Sequence, residues 1–191
     1  MTDRKHNDYQ RLARLVSAEI VDVLDQVKDD EVDSLVQEIM TADKIFLIAV
    51  GRVFLSLQCL AKRLAHFGYD VNVVGSIVEK PISRRDVLLV ASGSGESMFP
   101  LSIVRIAKTY GARVAMITSA ESSTIKKMAD TVLHLPCPTK VDLTVGAKSS
   151  QPMSTLFDQC VHIFGDVLRL VLQDKTEQSG EELSKNHANL E

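Results

Sequence analysis

The chain has 191 residues, 45% of them hydrophobic and 25% charged, with a formal net charge of −3. That length favours one domain with one sizeable core, and the mild acidity excludes the basic footprint of a nucleic-acid binder while leaving room for a local anion pocket. Tryptophan is absent and aromatic residues make up only 5%, so the core must rest on Val, Ile, Leu, Ala and Met, which suits a parallel sheet buried on both faces.

The N-terminus, Met1 to His6, is polar where a secretory leader would be apolar. No apolar run reaches the roughly 18 residues of a membrane span, so a soluble protein is expected. From Tyr9 to Val27 the apolar residues Leu12, Leu15, Val16, Ile20, Val21, Val23, Leu24 and Val27 follow helical spacing with a wide stripe. A second, shorter helix is expected over Asp30–Met40, with Val32, Leu35, Val36 and Ile39 on one face. The stripe of these two leading helices must cover either the sheet or another subunit.

The period then changes. Lys44–Val50 is a short aliphatic run ending at Gly51, the pattern of a buried strand. Leu55–Phe67 returns to helix, closed by Gly68 as a left-handed stop. Val71–Val74 reads as a second strand and Asp86–Ala91 as a third, followed at once by Ser92-Gly93-Ser94-Gly95-Glu96-Ser97. Met98–Tyr110 is helical and stopped by Gly111. Arg113–Thr118 is a fourth strand, Ser122–Ala129 a short helix and Thr131–Leu135 a fifth strand. Pro136–Ser150 is irregular and polar, and a last long helix is expected from Pro152 to Leu172, with Pro152 suited to a first helical position. Residues 1–43 thus form leading helices, 44–173 the core, and 174–191 a polar tail that is mobile or an arm on a partner subunit.

Aliphatic strands alternating with helices predict right-handed crossovers and a doubly wound α/β domain, with a five-stranded parallel sheet between helices. Ligands of such sheets bind at the carboxyl ends of the strands, where two loops stand out: Gly51-Arg52 and Ser92–Ser97. In the second, glycines permit a tight turn and close approach, a helix N-terminus offers free N–H groups, and the hydroxyls of Ser92, Ser94 and Ser97 can donate to phosphate oxygens. No Gly-x-Gly-x-x-Gly follows the first strand and no Walker lysine follows the serines, so the cradle fits a monophosphate better than a nucleotide. Lys148, in the polar stretch before the last helix, is a further candidate for the phosphate. Cys59, Cys137 and Cys160 have no paired spacing and read as buried structural thiols of a reduced, cytoplasmic chain. No metal site is expected from the spacing of the histidines and cysteines.

Ser92–Ser97 resembles the phosphate-binding motif of sugar isomerase (SIS) domains, where the last position is often Thr. Gly51-Arg52, Arg63–Gly68, Gln151–Gln159 and the closing His187-Ala188-Asn189-Leu190-Glu191 are similar to the 6-phospho-3-hexuloisomerase branch. The resemblance runs in order along essentially the whole chain. It implies a flavodoxin-like three-layer sandwich and a homo-oligomer, a tetramer or dimer, with active sites near subunit contacts. It also implies interconversion of 3-hexulose 6-phosphate and fructose 6-phosphate through an enediol, without metal or organic cofactor. His66 and Asp158 stand at the positions of the catalytic pair, and Gly51, Arg52 and Ser92 through Ser97, including Gly93, Gly95 and Glu96, at the substrate-binding positions.

Three positions depart from the pattern. Asp158 stands where glutamate is usual, Val53 removes a hydroxyl expected to face the substrate, and Phe54 replaces a glycine and is expected to narrow or reshape the sugar pocket. Two functions therefore stay open on the sequence: a phosphosugar isomerase, or a phosphosugar-binding regulatory module without turnover.

Overall fold

Aliphatic side chains alternate along each strand between two faces of one sheet, and both faces are covered. Phe46, Ile48, Leu88, Val90, Val114 and Met116 enter one core, whereas Ile45, Leu47, Val87, Leu89, Ala115 and Ile117 enter the other. In this computed structural model, which describes residues 3–138 and 149–190, the chain runs α1 (Asp3–Leu24), α2 (Asp29–Thr41), β1 (Ile45–Ile48), α3 (Gly51–His66), β2 (Val71–Val73), β3 (Val87–Ala91) and α4 (Met98–Thr109). It continues with β4 (Arg113–Thr118), a 3₁₀ turn (Lys126–Met128), β5 (Thr131–His134), α5 (Thr155–Thr176) and α6 (Gly180–Lys185). The five strands are parallel, in the order β2-β1-β3-β4-β5. Helices α2, α3 and α5 pack against one face and α4 against the other. Among the described residues, no helix is long and apolar enough to cross a membrane.

The order places the reversal of winding between β1 and β3, whose neighbouring carboxyl ends open a crevice for a ligand. At the opposite, amino ends, the buried Asp86 carboxylate accepts from the Lys44 and Ser83 amides and pairs with the Lys44 ammonium. That ties β1 to β3 far from the crevice and is a purely structural use of a buried acid.

Several boundaries differ from expectation, each for a local reason. Helix α3 starts at Gly51 rather than Leu55, because Leu55 is largely exposed and is not the start of the buried stripe. The helix expected over Ser122–Ala129 is only a 3₁₀ turn, held by the buried Ile125. Helix α5 begins at Thr155 rather than Pro152, because Met153 takes a left-handed φ of 56° that interrupts the helix. Of the leading helices, α2 lies over β4 and β5, whereas α1 rests on α5 and, among its residues of described burial, buries only Glu19 and Val23. The polar tail makes contacts with its own chain. Ser179 and Glu182 form a capping box for α6, Leu183 is buried, and the Asn186 amide donates to the His66 carbonyl at 3.0 Å. Cys59 is exposed, against expectation, because it falls on the outer side of α3; Cys137 and Cys160 are buried and free.

Candidate active site

A cavity of about 360 Å³ opens where β1 and β3 end, bounded by the first turns of α3 and α5 and by the serine loop that leads into α4. The residues preceding these helices, Val50, Ser97 and Ser154, all line it, and none caps its helix with a side-chain hydrogen bond. Each helix start carries N–H groups without intrahelical acceptors and a partial positive charge of about half a unit. Three such ends bordering one space offer more positive potential to an anion than a single Ser/Gly turn would.

The serine loop is pinned against β4. The Ser92 amide donates to Ile117 O, and Ser119 N–H and the Thr118 hydroxyl both donate to Gly93 O. Within the loop, Ser92 Oγ accepts from the Gly95 amide at 3.1 Å and lies 3.3 Å from Ser97 Oγ. A Cβ on Gly93 would come within 3.3 Å of the Phe157 ring, and one on Gly95 within 2.0 Å of Ser123 Oγ. Gly95 also holds a φ of +64°, so glycine is required there on both counts.

The sequence candidates divide into two groups. Gly51, Arg52, Ser92, Gly93, Ser94, Ser97 and Asp158 line the one cavity. Gly95 shapes the loop from behind. Glu96 turns outward, where its carboxylate accepts from the Thr124 amide at 2.7 Å; that bond holds its pKa below the usual value. Lys148 falls outside the described residues.

Asp158 is only 7% exposed. Its Oδ1 accepts from the Ser56 hydroxyl at 2.7 Å, and its Oδ2 pairs with Arg52 Nη2 at 2.9 Å. Arg52 and Ser56 are four residues apart on α3 and so share one helix face, which meets the first turn of α5. Ser56 was missed in the sequence. Its signal was a small polar residue one turn beyond Arg52 on an otherwise apolar helix. Met153, Ser154, Thr155 and Phe157, also missed as cavity residues, belong to the same Gln151–Gln159 run that carried Asp158.

His66 does not join this group within one chain. It sits at the other end of α3, 14 residues beyond Arg52, or roughly 20 Å along the axis. There its ring stacks on His187 with centroids 5.0 Å apart, and its Nε2 is buried without a partner. Burial lowers its pKa, and the positive charges of His187, Lys62, Arg63 and Arg169 lower it further. Phe54 is not among the residues lining the cavity. On α3 it shares the face of Leu57 and Ala61 and packs into the core, whereas Val53 lines the cavity as expected. Among the described residues, no group of His, Cys, Asp and Glu is arranged to hold a metal ion.

With this geometry in view, comparison with known proteins is decisive for the family. The SIS domain model matches residues 38–163. The chain belongs to the SIS domain family. Among relatives of this SIS chain, a 3-hexulose-6-phosphate isomerase of Mycobacterium gastri is 36% identical over 177 residues, 93% of this chain and 88% of that protein. The 3-hexulose-6-phosphate isomerase of Bacillus subtilis is 33% identical over 165 residues, 86% of this chain and 89% of that one. A Methanococcus jannaschii protein, whose crystal structure led to the inference of a 3-hexulose-6-phosphate isomerase function, superposes with a TM-score of 0.81 at 27% identity, covering 95% of this chain and 99% of its own. The α/β sandwich expected from the sequence is thus the observed fold, and it is shared with that structure.

Proposed function

We propose that this chain is a phosphosugar isomerase that interconverts 3-hexulose 6-phosphate and fructose 6-phosphate. One observation carries the reading: the cavity bordered by three uncapped helix ends and the serine loop also contains, among the described residues, a single buried carboxylate, Asp158. The names of the relatives at 33% and 36% identity support the same reaction.

The chemistry follows from that pairing. The phosphate ester binds at the helix ends and at the hydroxyls of Ser92, Ser94 and Ser97, and this remote grip holds the sugar chain in register. Asp158 takes the proton from C2 of the 3-ketose, leaving a 2,3-enediolate, and returns it to C3 as the carbonyl moves to C2. A hydroxyl proton passes from O2 to O3 in the same sense, so atoms balance without an oxidant. Arg52, whose side chain is 66% exposed, has the freedom to leave Asp158 and meet the developing oxyanion, while Ser56 keeps the carboxylate in place. Lys148 is retained as a further phosphate ligand.

His66 enters this reading only through a second copy. A homo-oligomer, dimer or tetramer, would bring His66 of one protomer to the cavity of the next, there to carry the hydroxyl proton. Support comes from its unpartnered Nε2 and from the exposed Ile163, Val167 and Leu170 on α5, an apolar face of the kind that subunits cover. A cytoplasmic site of action fits three free thiols.

The test is solvent exchange. Incubated in deuterium oxide, the protein should label fructose 6-phosphate at C3; a binding module without turnover would leave the sugar unlabelled, and the reading would fall. Asp158→Asn should abolish labelling while phosphate affinity stays near wild type. Asp158→Glu, which restores the usual chain length, should leave labelling intact or raise it.

A further inference from the structure

Among the described residues three carboxylates are buried: Asp158 in the cavity, Asp86 at the amino edge of the sheet, and Glu19 on α1. The first two have roles above; the third does not. Glu19 is 6% exposed, and a carboxylate is buried at heavy cost unless hydrogen bonds replace its water. Its oxygens accept from Ser149 Oγ at 2.8 Å, from the Ser150 amide at 2.7 Å and from Gln151 Nε2 at 3.0 Å. Burial opposes its ionisation, but these bonds outweigh that and hold its pKa below the usual value. All of these donors lie in one three-residue stretch, about 130 positions away in sequence.

That stretch leads straight into the cavity wall. Ser149 Oγ also accepts from the Gln151 amide. Next, the Pro152 carbonyl accepts from both the Thr155 amide and its hydroxyl, and the Ser154 carbonyl accepts from the Asp158 amide at 3.2 Å. Between them Met153 holds a left-handed φ of 56°, a conformation that a non-glycine residue keeps only where its surroundings enforce it. Hydrogen bonds at both ends of the short 149–158 segment, joined through its own backbone, therefore link the leading helix to the peptide that carries the buried acid.

We propose that Glu19 is a positioning residue: its carboxylate clamps 149–151 and so sets the cavity wall at Met153–Thr155 and the stance of Asp158. The proposal rests on the reading of Asp158 as the proton carrier. It gives α1, which otherwise buries little apolar surface, a part in the site.

Glu19→Gln puts an N–H donor against donors and cuts the clamp at constant size. Its turnover number in the isomerase assay should fall about 10- to 100-fold, the penalty for displacing a reacting group by about 1 Å, while KM stays close to wild type because the phosphate grip is elsewhere. Val23→Ala, one turn along the same helix, serves as the control: it opens a core cavity and should lower the melting temperature with turnover retained. Ser149→Ala/Gln151→Ala, a milder cut from the other side, should repeat the turnover loss and decides the matter if Glu19→Gln does not fold. Retained turnover in the clamp variants, or an equal loss in Val23→Ala, would overturn the proposal. If the wild-type protein labels no sugar, the isomerase reading fails on its own. Amide hydrogen exchange over Ser150–Asp158 then judges the clamp: faster exchange in the clamp variants upholds it, and unchanged exchange overturns it.

Discussion

The loop glycines show how sharply single residues are specified in this site. Gly95 combines a positive φ with a wall, Ser123, that no Cβ could clear, and Ser123 is itself held by its bond from the Lys126 amide. Gly93 faces only the edge of the Phe157 ring at a tight but tolerable distance. Gly95→Ala is therefore expected to destabilise the protein by about 1–3 kcal/mol and to weaken hexose-phosphate binding. Gly93→Ala should cost clearly less; denaturant midpoints of the two variants, with fructose 6-phosphate binding by calorimetry, check both. The run Ser92–Ser97 announces a phosphate cradle in the sequence because its chemistry is local. Which of its members faces the ligand was not legible: Glu96 points away only because the Thr124 amide, far along the chain, draws it out.

At the scale of elements, α3 links two separate tasks through its two ends. Its first turns carry Arg52 and Ser56 toward Asp158, and its last turn carries His66 under the tail, where α6 and His187 pack on it. The tail's docking has a pH signature. His66 has a lowered pKa in the folded chain, so between its ordinary value of 6.5 and that lowered value the unfolded chain binds more protons. Its contribution to stability is thus full above 6.5 and is lost as pH falls from there through the lowered native pKa. His187→Ala removes the stacked ring and its charge, so the His66 pKa should rise toward the ordinary value and the acid loss of stability should shrink. Ring-proton NMR titration, with urea midpoints at about pH 7.5 and about pH 5.5 to bracket the histidine range, measures both; an unmoved His66 pKa would contradict this account. The sequence marks 174–191 only as polar, a mobile tail or an arm on a partner, because one buried leucine in a polar tail leaves no periodic signal.

For the whole molecule, the distance between His66 and the cavity makes a sharp prediction about assembly. If each active site takes His66 from a neighbouring copy, His66→Ala and Asp158→Asn chains will each be inactive alone. Co-refolded together, they should regain isotope exchange, because a mixed oligomer contains sites with one intact histidine and one intact aspartate. If histidine and aspartate instead met within one chain, every site in the mixture would lack one of them and no activity would return. Exchange measured on the mixture against each parent separates the two arrangements.

Read alone, the amino-acid sequence settles the strand-helix alternation, the buried parallel sheet and the serine-glycine turn after β3. These rest on hydrophobic period and turn chemistry, which act between neighbours in the chain. The tertiary structure alone decides the strand order that opens the crevice, the meeting of Ser56 with Asp158 across 102 positions, the reach of Glu19 to the wall of the site, and the separation of His66 from it. Each of these depends on which helix faces pack together, and packing joins residues that no local pattern relates.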